Sequence, residues 1–304
     1  MRKAYRSAAF RPLLLVLLLS VLSVFAAARS AAAPVPADTN DPAQCAAAIV
    51  SQLSGQPGFS AWKTGSPRIE ALGPGTHGWL ATVVGPKGTP LGYAVVYAAE
   101  DGSCRLGEYG LGPKPLFDTT TLRMALATGG YIQAATSNAF RAVKHYIHPF
   151  AAAWEVKLAK ETIWLDAKTA ELLPVDNEAQ WLAAAASDPY IPADAGAAPD
   201  KPRELRLLAA AETFDPYERL SWLLGDKPFD PRPDRLIARL KAKDRLVYVA
   251  EPLGDKMLYA QSVVGYQRWQ GGRLDLALDM NGSRFIPLDA LVKLSDGLFL
   301  SLNQ

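Results

Sequence analysis

Apolar positions recur with two different periods along this chain, and the switches between them mark out its elements. Residues 154–158 read WEVKL, where Trp154, Val156 and Leu158 alternate with Glu155 and Lys157, the period of a strand with one buried face. Lys160 and Glu161 supply a polar turn, and Ile163, Trp164 and Leu165 are β-branched or bulky residues suited to a second strand. Asp166 to Glu171 then reads as a further turn, with Asp and Thr side chains able to bond nearby backbone. Upstream, 79–84, 91–98 and 104–109 are apolar or alternating runs separated by Gly85-Pro86-Lys87-Gly88 and by Asp101-Gly102, the punctuation of an antiparallel meander. Downstream, 246–250, 257–266, 273–280 and 283–287 read as strands. Asn281-Gly282 marks a hairpin, because both central residues of a type I′ turn need positive φ. A two-residue loop there places Met280 opposite Ser283, Asp279 opposite Arg284 and Leu278 opposite Phe285.

Elsewhere the spacing is helical. Asp41 is a good cap, Pro42 suits a first helical position, and Ala46, Ile49, Val50 and Leu53 recur before Gly55. Residues 119–127 form a helix stopped by Gly129, and 138–146 and 176–186 read as two more, the latter carrying Trp181. Asp215, Pro216 and Glu218 open a helix running to Leu224 and Gly225, and 233–241 follows with Leu236, Ile237 and Leu240 on one side. Between them, 187–203 (SDPYIPADAGAAPDKPR) is dense in Pro, Ala and Asp and reads as a linker. The pattern predicts an α+β fold in two small domains, 41–186 and 204–304, each an antiparallel sheet with a few short helices.

The first 40 residues change the picture from fold to location. Arg2, Lys3, Arg6 and Arg11 precede an apolar run over 13–28 that ends in Ala26, Ala27 and Ala28. Residues 1–28 are thus a signal peptide or an uncleaved anchor, and 29–40 a flexible Ala- and Pro-rich tether. An extracytoplasmic protein is expected, secreted or held to the membrane through that segment alone. In such a compartment Cys45 and Cys104 can form a disulfide, or serve as two small buried apolar residues. A net charge of +2, with no basic cluster interleaved by aromatics beyond the N-terminus, argues against nucleic acid.

Three stretches resemble known modules. Residues 154–173 resemble the end of a PepSY-type domain, an exported module of protease propeptides and envelope proteins. Its last strand closes on Asp, two variable residues, Thr, Gly and Glu; here Asp166, Ala167, Lys168, Thr169, Ala170 and Glu171 follow that order with Ala in place of Gly. The block 92–118 is similar in layout to the strands of propeptides preceding streptopain-type proteases. Residues 233–295, with Val263-Val264-Gly265-Tyr266 inside them, resemble the second half of papain-like C39 peptidase domains, where such a strand follows the catalytic His. That resemblance implies a scaffold without cysteine-protease chemistry. Gln261 and Ser262 stand near the His position, Trp222 lies where the nucleophile's helix would be, no Cys follows Cys104 and no His follows His148.

Other candidate chemistry is sparse. His145 and His148 would share one side of a helix, but Pro149 ends it and His77 sits in a Gly- and Pro-rich loop. No metal site is assigned, and the histidines are expected to be partly exposed. Asp275 and Asp279 share a strand face roughly 13 Å apart, wider than the roughly 5–9.5 Å of glycosidase pairs, so a solvated outer face is expected. Ser60, Ser221 and Ser262 have no nearby His and no G-x-S-x-G elbow. Trp269, flanked by Gln267, Arg268 and Gln270, is expected to be exposed, making Trp269, Tyr266 and Arg268 candidate ligand contacts. No catalytic residue and no cofactor is assigned. The reading is a non-enzymatic exported protein binding a protein or peptide at the cell envelope. The alternatives are a carboxylate-dependent envelope hydrolase using Asp275, Asp279 or Asp289, and a carbohydrate-binding module using Trp269 and Tyr266.

Overall fold

A computed structural model describes residues 41–73, 78–98, 104–185, 201–208, 213–294 and 297–301. The expected signal segment and tether, His77 and residues 187–200 of the expected linker lie outside the described residues.

Helix α1, Pro42–Ser54, starts and stops where the spacing predicts: Asp41 Oδ1 accepts from the Ala43 amide at 2.9 Å and Gly55 follows the last turn. A 3-10 segment, Pro57–Thr64, adds Phe59 and Trp62 to its buried stripe. Strands β2 (Gly78–Val84), β3 (Pro90–Ala98) and β4 (Cys104–Leu111) form the expected meander, and β1 (Ser66–Ala71), which the sequence reading did not foresee, pairs with β2 at its edge. Helix α2, Thr119–Thr128, is capped by the Asp118 carboxylate on the amides of Thr120 and Thr121. Strands β5 (Arg141–His148), β6 (Ala151–Lys157) and β7 (Thr162–Asp166) make a separate three-stranded sheet, with α3, Glu178–Ala185, after it. The rest comprises β8 (Pro202–Leu207), α4 (Pro233–Lys241), β9 (Arg245–Ala250), α5 (Pro252–Asp255), β10 (Tyr259–Trp269), β11 (Leu274–Asp279), β12 (Ser283–Pro287), α6 (Leu288–Lys293) and β13 (Gly297–Ser301). The larger sheet has the order β1-β2-β3-β4-β12-β11-β10-β9-β13, and β8 pairs with the second half of β10.

The α+β class holds, but several elements differ from the sequence reading. The strands of the two expected domains share one sheet, because β12 pairs with β4 through Arg284↔Gly110 and Phe285↔Tyr109, and 38–304 form one compact unit. Residues 202–203 of the expected linker begin strand β8. Residues 141–148 are a strand: Val143, Tyr146 and Ile147 suit a pleated surface, and a bulge between Tyr146 and His148 blurs the alternation. Residues 215–224 form turns instead of a helix, since the Asp215 carboxylate bonds the Tyr217 amide at 2.9 Å, a local turn that competes with helical bonding.

Packing builds layers outward from the large sheet. On one face lie α1 and the 3-10 segment, with Phe59, Trp62, Tyr109, Trp269 and Phe285 in one cluster. Cys45 and Cys104 are bonded, Cα atoms 5.5 Å apart, tying α1 to the start of β4. A bridge closing 59 residues contributes about 4 kcal/mol on the chain-entropy account. On the other face Leu80, Tyr93 and Val95 meet Trp154 and Val156 of the small sheet and Leu122 of α2.

The hairpin register is one residue away from the expected one. Asp279 faces Ser283 and Leu278 faces Arg284, so the loop holds Met280, Asn281 and Gly282, with Asn281 and Gly282 at positive φ. A one-residue slip moves a side chain to the opposite face of a sheet. Arg284 therefore points between the two sheets, where its guanidinium binds Glu108 bidentately at 2.5 and 2.8 Å and also reaches Pro149 O in the β5–β6 turn. Tyr146 OH donates to Glu108 Oε1 at 3.1 Å. Glu108 and Arg284 are 0% and 1% exposed. Burial opposes the guanidinium charge, and Glu108 more than offsets it, raising the Arg284 pKa.

Removing one half of this pair strands the other charge in the interior. Arg284→Met is expected to lower the unfolding free energy by about 3–5 kcal/mol, while Arg284→Met with Glu108→Leu recovers most of it. Urea denaturation of the wild type, both single variants and the double variant checks this; additive losses would contradict it.

Candidate functional site

A cleft of about 280 Å³ opens where three parts of the chain meet. Its first wall is the turn after β7. Asp166 Oδ1 accepts from the amides of Lys168 and Thr169, both at 2.7 Å, and from Thr169 Oγ1 at 3.2 Å. Ala170 takes φ 58°, a conformation glycine accepts more readily, and its amide bonds Asp166 O at 2.9 Å. The other carboxylate oxygen accepts from Tyr259 OH at 2.7 Å, clamping the turn to the start of β10. Thr169 and Glu171 are thereby presented to the cleft.

The facing wall is 214–217. Ser262 Oγ donates to Phe214 O at 2.7 Å, fixing this segment against β10, and the Asp215 turn presents Pro216 and Tyr217. Leu258 to Ser262 line the cleft between the walls, and Asp279 joins them from the end of β11. Lining residues thus include three carboxylates, Glu171, Asp215 and Asp279, all exposed, and no cationic side chain. Among the described ion pairs none involves these three acids. The Thr169, Tyr259 and Ser262 hydroxyls of the cleft are engaged. Burial and the Asp166 carboxylate push the Tyr259 phenol well up, and the Ser262 hydroxyl points its proton at a backbone carbonyl. No thiol or imidazole lies among the lining residues to activate either.

No family model, curated protein or solved structure matches this chain. What the cleft does is therefore read from its own atoms.

The residues singled out from sequence distribute differently. Trp269 is 2% exposed: β10 pairs with β8 as far as Trp269↔Pro202, and the indole turns into the α1 side of the core. Its Nε1 donates to Asp275 Oδ2 at 2.7 Å, which also accepts from Tyr109 OH at 2.9 Å, while Arg273 Nε reaches Asp275 Oδ1 at 2.7 Å. Asp275 is therefore a buried acceptor, not part of a solvated face, and only Asp279 of the expected carboxylate pair meets the cleft. Tyr266 is buried with its OH on Glu204 Oε1 at 2.6 Å, and Arg268 lies 3.7 Å from the same carboxylate. These three form no exposed binding face. Asp289 sits in the first turn of α6, outside the cleft.

His145 and His148 are buried in β5, correcting the expectation of partial exposure, because the strand lies against the rest of the small sheet. His145 Nε2 is 3.1 Å from Glu155 Oε2 and its ring packs on Trp164. Burial raises the Glu155 pKa, but His145 and Lys157 more than offset this and leave it lowered. Among the described residues no group of three or more His, Cys, Asp or Glu is placed to hold a metal ion. Missed by the sequence reading were Glu171, Asp215, Tyr217 and Tyr259. The Asp166 turn was their local signal, but the pairing of that turn with β10 is tertiary.

Burial, aided by Arg284, depresses the His148 pKa from 6.5 to about 4. The unfolded chain takes up this proton as pH falls through 6.5, whereas the folded protein resists until about 4, so stability drops across that window. The loss is about 3 kcal/mol at about 1.4 kcal/mol per unit. His148→Asn keeps an acceptor for the Phe150 amide and removes the titration. Denaturation at pH 7 and pH 4 should show a smaller loss for the variant by about that amount. Tyr259→Phe, in contrast, is expected to cost about 1.5–3 kcal/mol at pH 7, through loss of the hydroxyl on the Asp166 carboxylate.

Proposed function

We propose that this is an extracytoplasmic protein that binds a protein or peptide in the cleft between the Asp166 turn and residues 214–217, without performing chemistry on it. One observation carries the reading: the Thr169, Tyr259 and Ser262 hydroxyls are held by Asp166 and by Phe214 O, while the exposed Tyr217 and the carboxylates of the walls stay open to solvent. The Cys45–Cys104 disulfide and the basic-then-apolar N-terminal pattern support an oxidising location. Gln261 and Ser262, the residues near the His position of the papain-like resemblance, both line the cleft, consistent with a groove retained after its catalytic groups were lost.

A hydrolase is the second reading, favoured by Glu171 and Asp279 lining one cleft. Carboxylate catalysis needs one acid held protonated by burial or by a neighbouring charge, and both of these side chains are exposed. Binding therefore fits the site better.

Fluorescence anisotropy of the full chain against a set of labelled, extended decapeptides tests the proposal. Saturable binding is expected for a subset, with Gln261→Trp, which fills the cleft, weakening it at least about tenfold, as loss of a central contact does. Binding indifferent to Gln261→Trp, in a variant with a native circular dichroism spectrum, would place the function elsewhere.

A further inference from the structure

The chemistry of the cleft narrows what it can recognise, on the assumption that it is a peptide site. Its volume of about 280 Å³ lies just under the roughly 300–1,000 Å³ of pockets that take whole small-molecule ligands, a size suited to one long side chain. The walls offer two kinds of surface. Phe214, Tyr217 and Leu258 present carbon to an aliphatic stem, and Glu171, Asp215 and Asp279 present negative charge with no cationic side chain among the lining residues. A lysine or arginine side chain matches both, its stem lying along apolar surface and its head reaching carboxylates or the face of an aromatic ring. An acidic side chain would be repelled, and a neutral aliphatic one would leave the carboxylates without a counter-charge.

The same segment continues into an apolar surface. Tyr217 packs edge-on against Trp222 at 6.3 Å, and Leu223 and Leu224 beyond it are 68% and 67% exposed, with Leu220 also exposed. Side chains of this size left so open, next to a cleft, are the kind of patch that marks contact with another molecule. We propose that the cleft receives the Lys or Arg side chain of an extended peptide, while an apolar residue close to it in that peptide lies on Leu220, Leu223 and Leu224.

The test uses the full chain and labelled decapeptides that share a sequence with one apolar position and carry Lys, Arg, norleucine or Glu at a central site. Lys and Arg peptides are expected to bind about tenfold more tightly than norleucine at low ionic strength, the margin narrowing at 1 M salt as charges are screened. Glu171→Gln combined with Asp279→Asn should remove most of that margin, Asp215 alone remaining, and leave norleucine binding unchanged. Leu223→Ser with Leu224→Ser should weaken Lys and norleucine peptides alike. Peptides that bind in the cleft, as judged by Gln261→Trp, with no preference for a cation would overturn this inference and leave peptide binding standing. If no peptide binds, both readings fall. If 1,5-diaminopentane alone competes as tightly as the Lys peptide, the ligand is a small amine and the peptide proposal is wrong.

Discussion

The buried contact between Glu108 and Arg284 is the constraint around which the rest of the molecule is arranged. It joins β4 to β12, so it holds together two runs of strand that the chain supplies more than a hundred and seventy residues apart. It also reaches the β5–β6 turn through Pro149 O and Tyr146 through Glu108, drawing the small sheet against the large one. Ionic groups are taken out of water at considerable cost, and hydrophobic replacements of matched shape often serve stability as well. What the pair adds is selectivity of arrangement: with Arg284 opposite Gly110, Glu108 two residues along β4 lies on the same side of the sheet as the guanidinium.

That register bears on the cleft. Lys168 of the Asp166 turn donates from Nζ to Lys114 O at 2.5 Å and to Asn281 O at 3.4 Å, the second being the tip of the β11–β12 hairpin. Burial, with Arg284 nearby, lowers its pKa to about 8. One wall of the cleft thus rests on the hairpin whose pairing Arg284 fixes, and Asp279 enters the cleft from the same hairpin. Interior electrostatics and the open site are linked through a single loop.

Local pattern was enough for much of the fold. The caps at Asp41 and Gly55, the meander and α4 followed from spacing and turn residues, which act within a few positions. Pattern failed where a neighbour from far away decided the outcome. Residues 138–146 look helical until Ala151 to Lys157 pair with 141–148, and the start of β8 is hidden at the end of a Pro- and Ala-rich stretch until β10 supplies its ladder. Trp269 has polar neighbours in sequence yet lies inside, because Asp275 and Tyr109 offer its indole a place that no local rule foresees. The cleft was invisible for the same reason: its two walls are about forty-five residues apart and meet only on β10.

The Cys45–Cys104 bridge has a mechanical consequence. Tension applied at Asp41 enters α1 and, four residues later, passes through a covalent link into β4, an interior strand flanked by β3 and β12. The load bypasses β1 at the sheet edge and enters a strand that is paired on both sides. Pulled from its leading end, the protein would resist as a plate held near its middle.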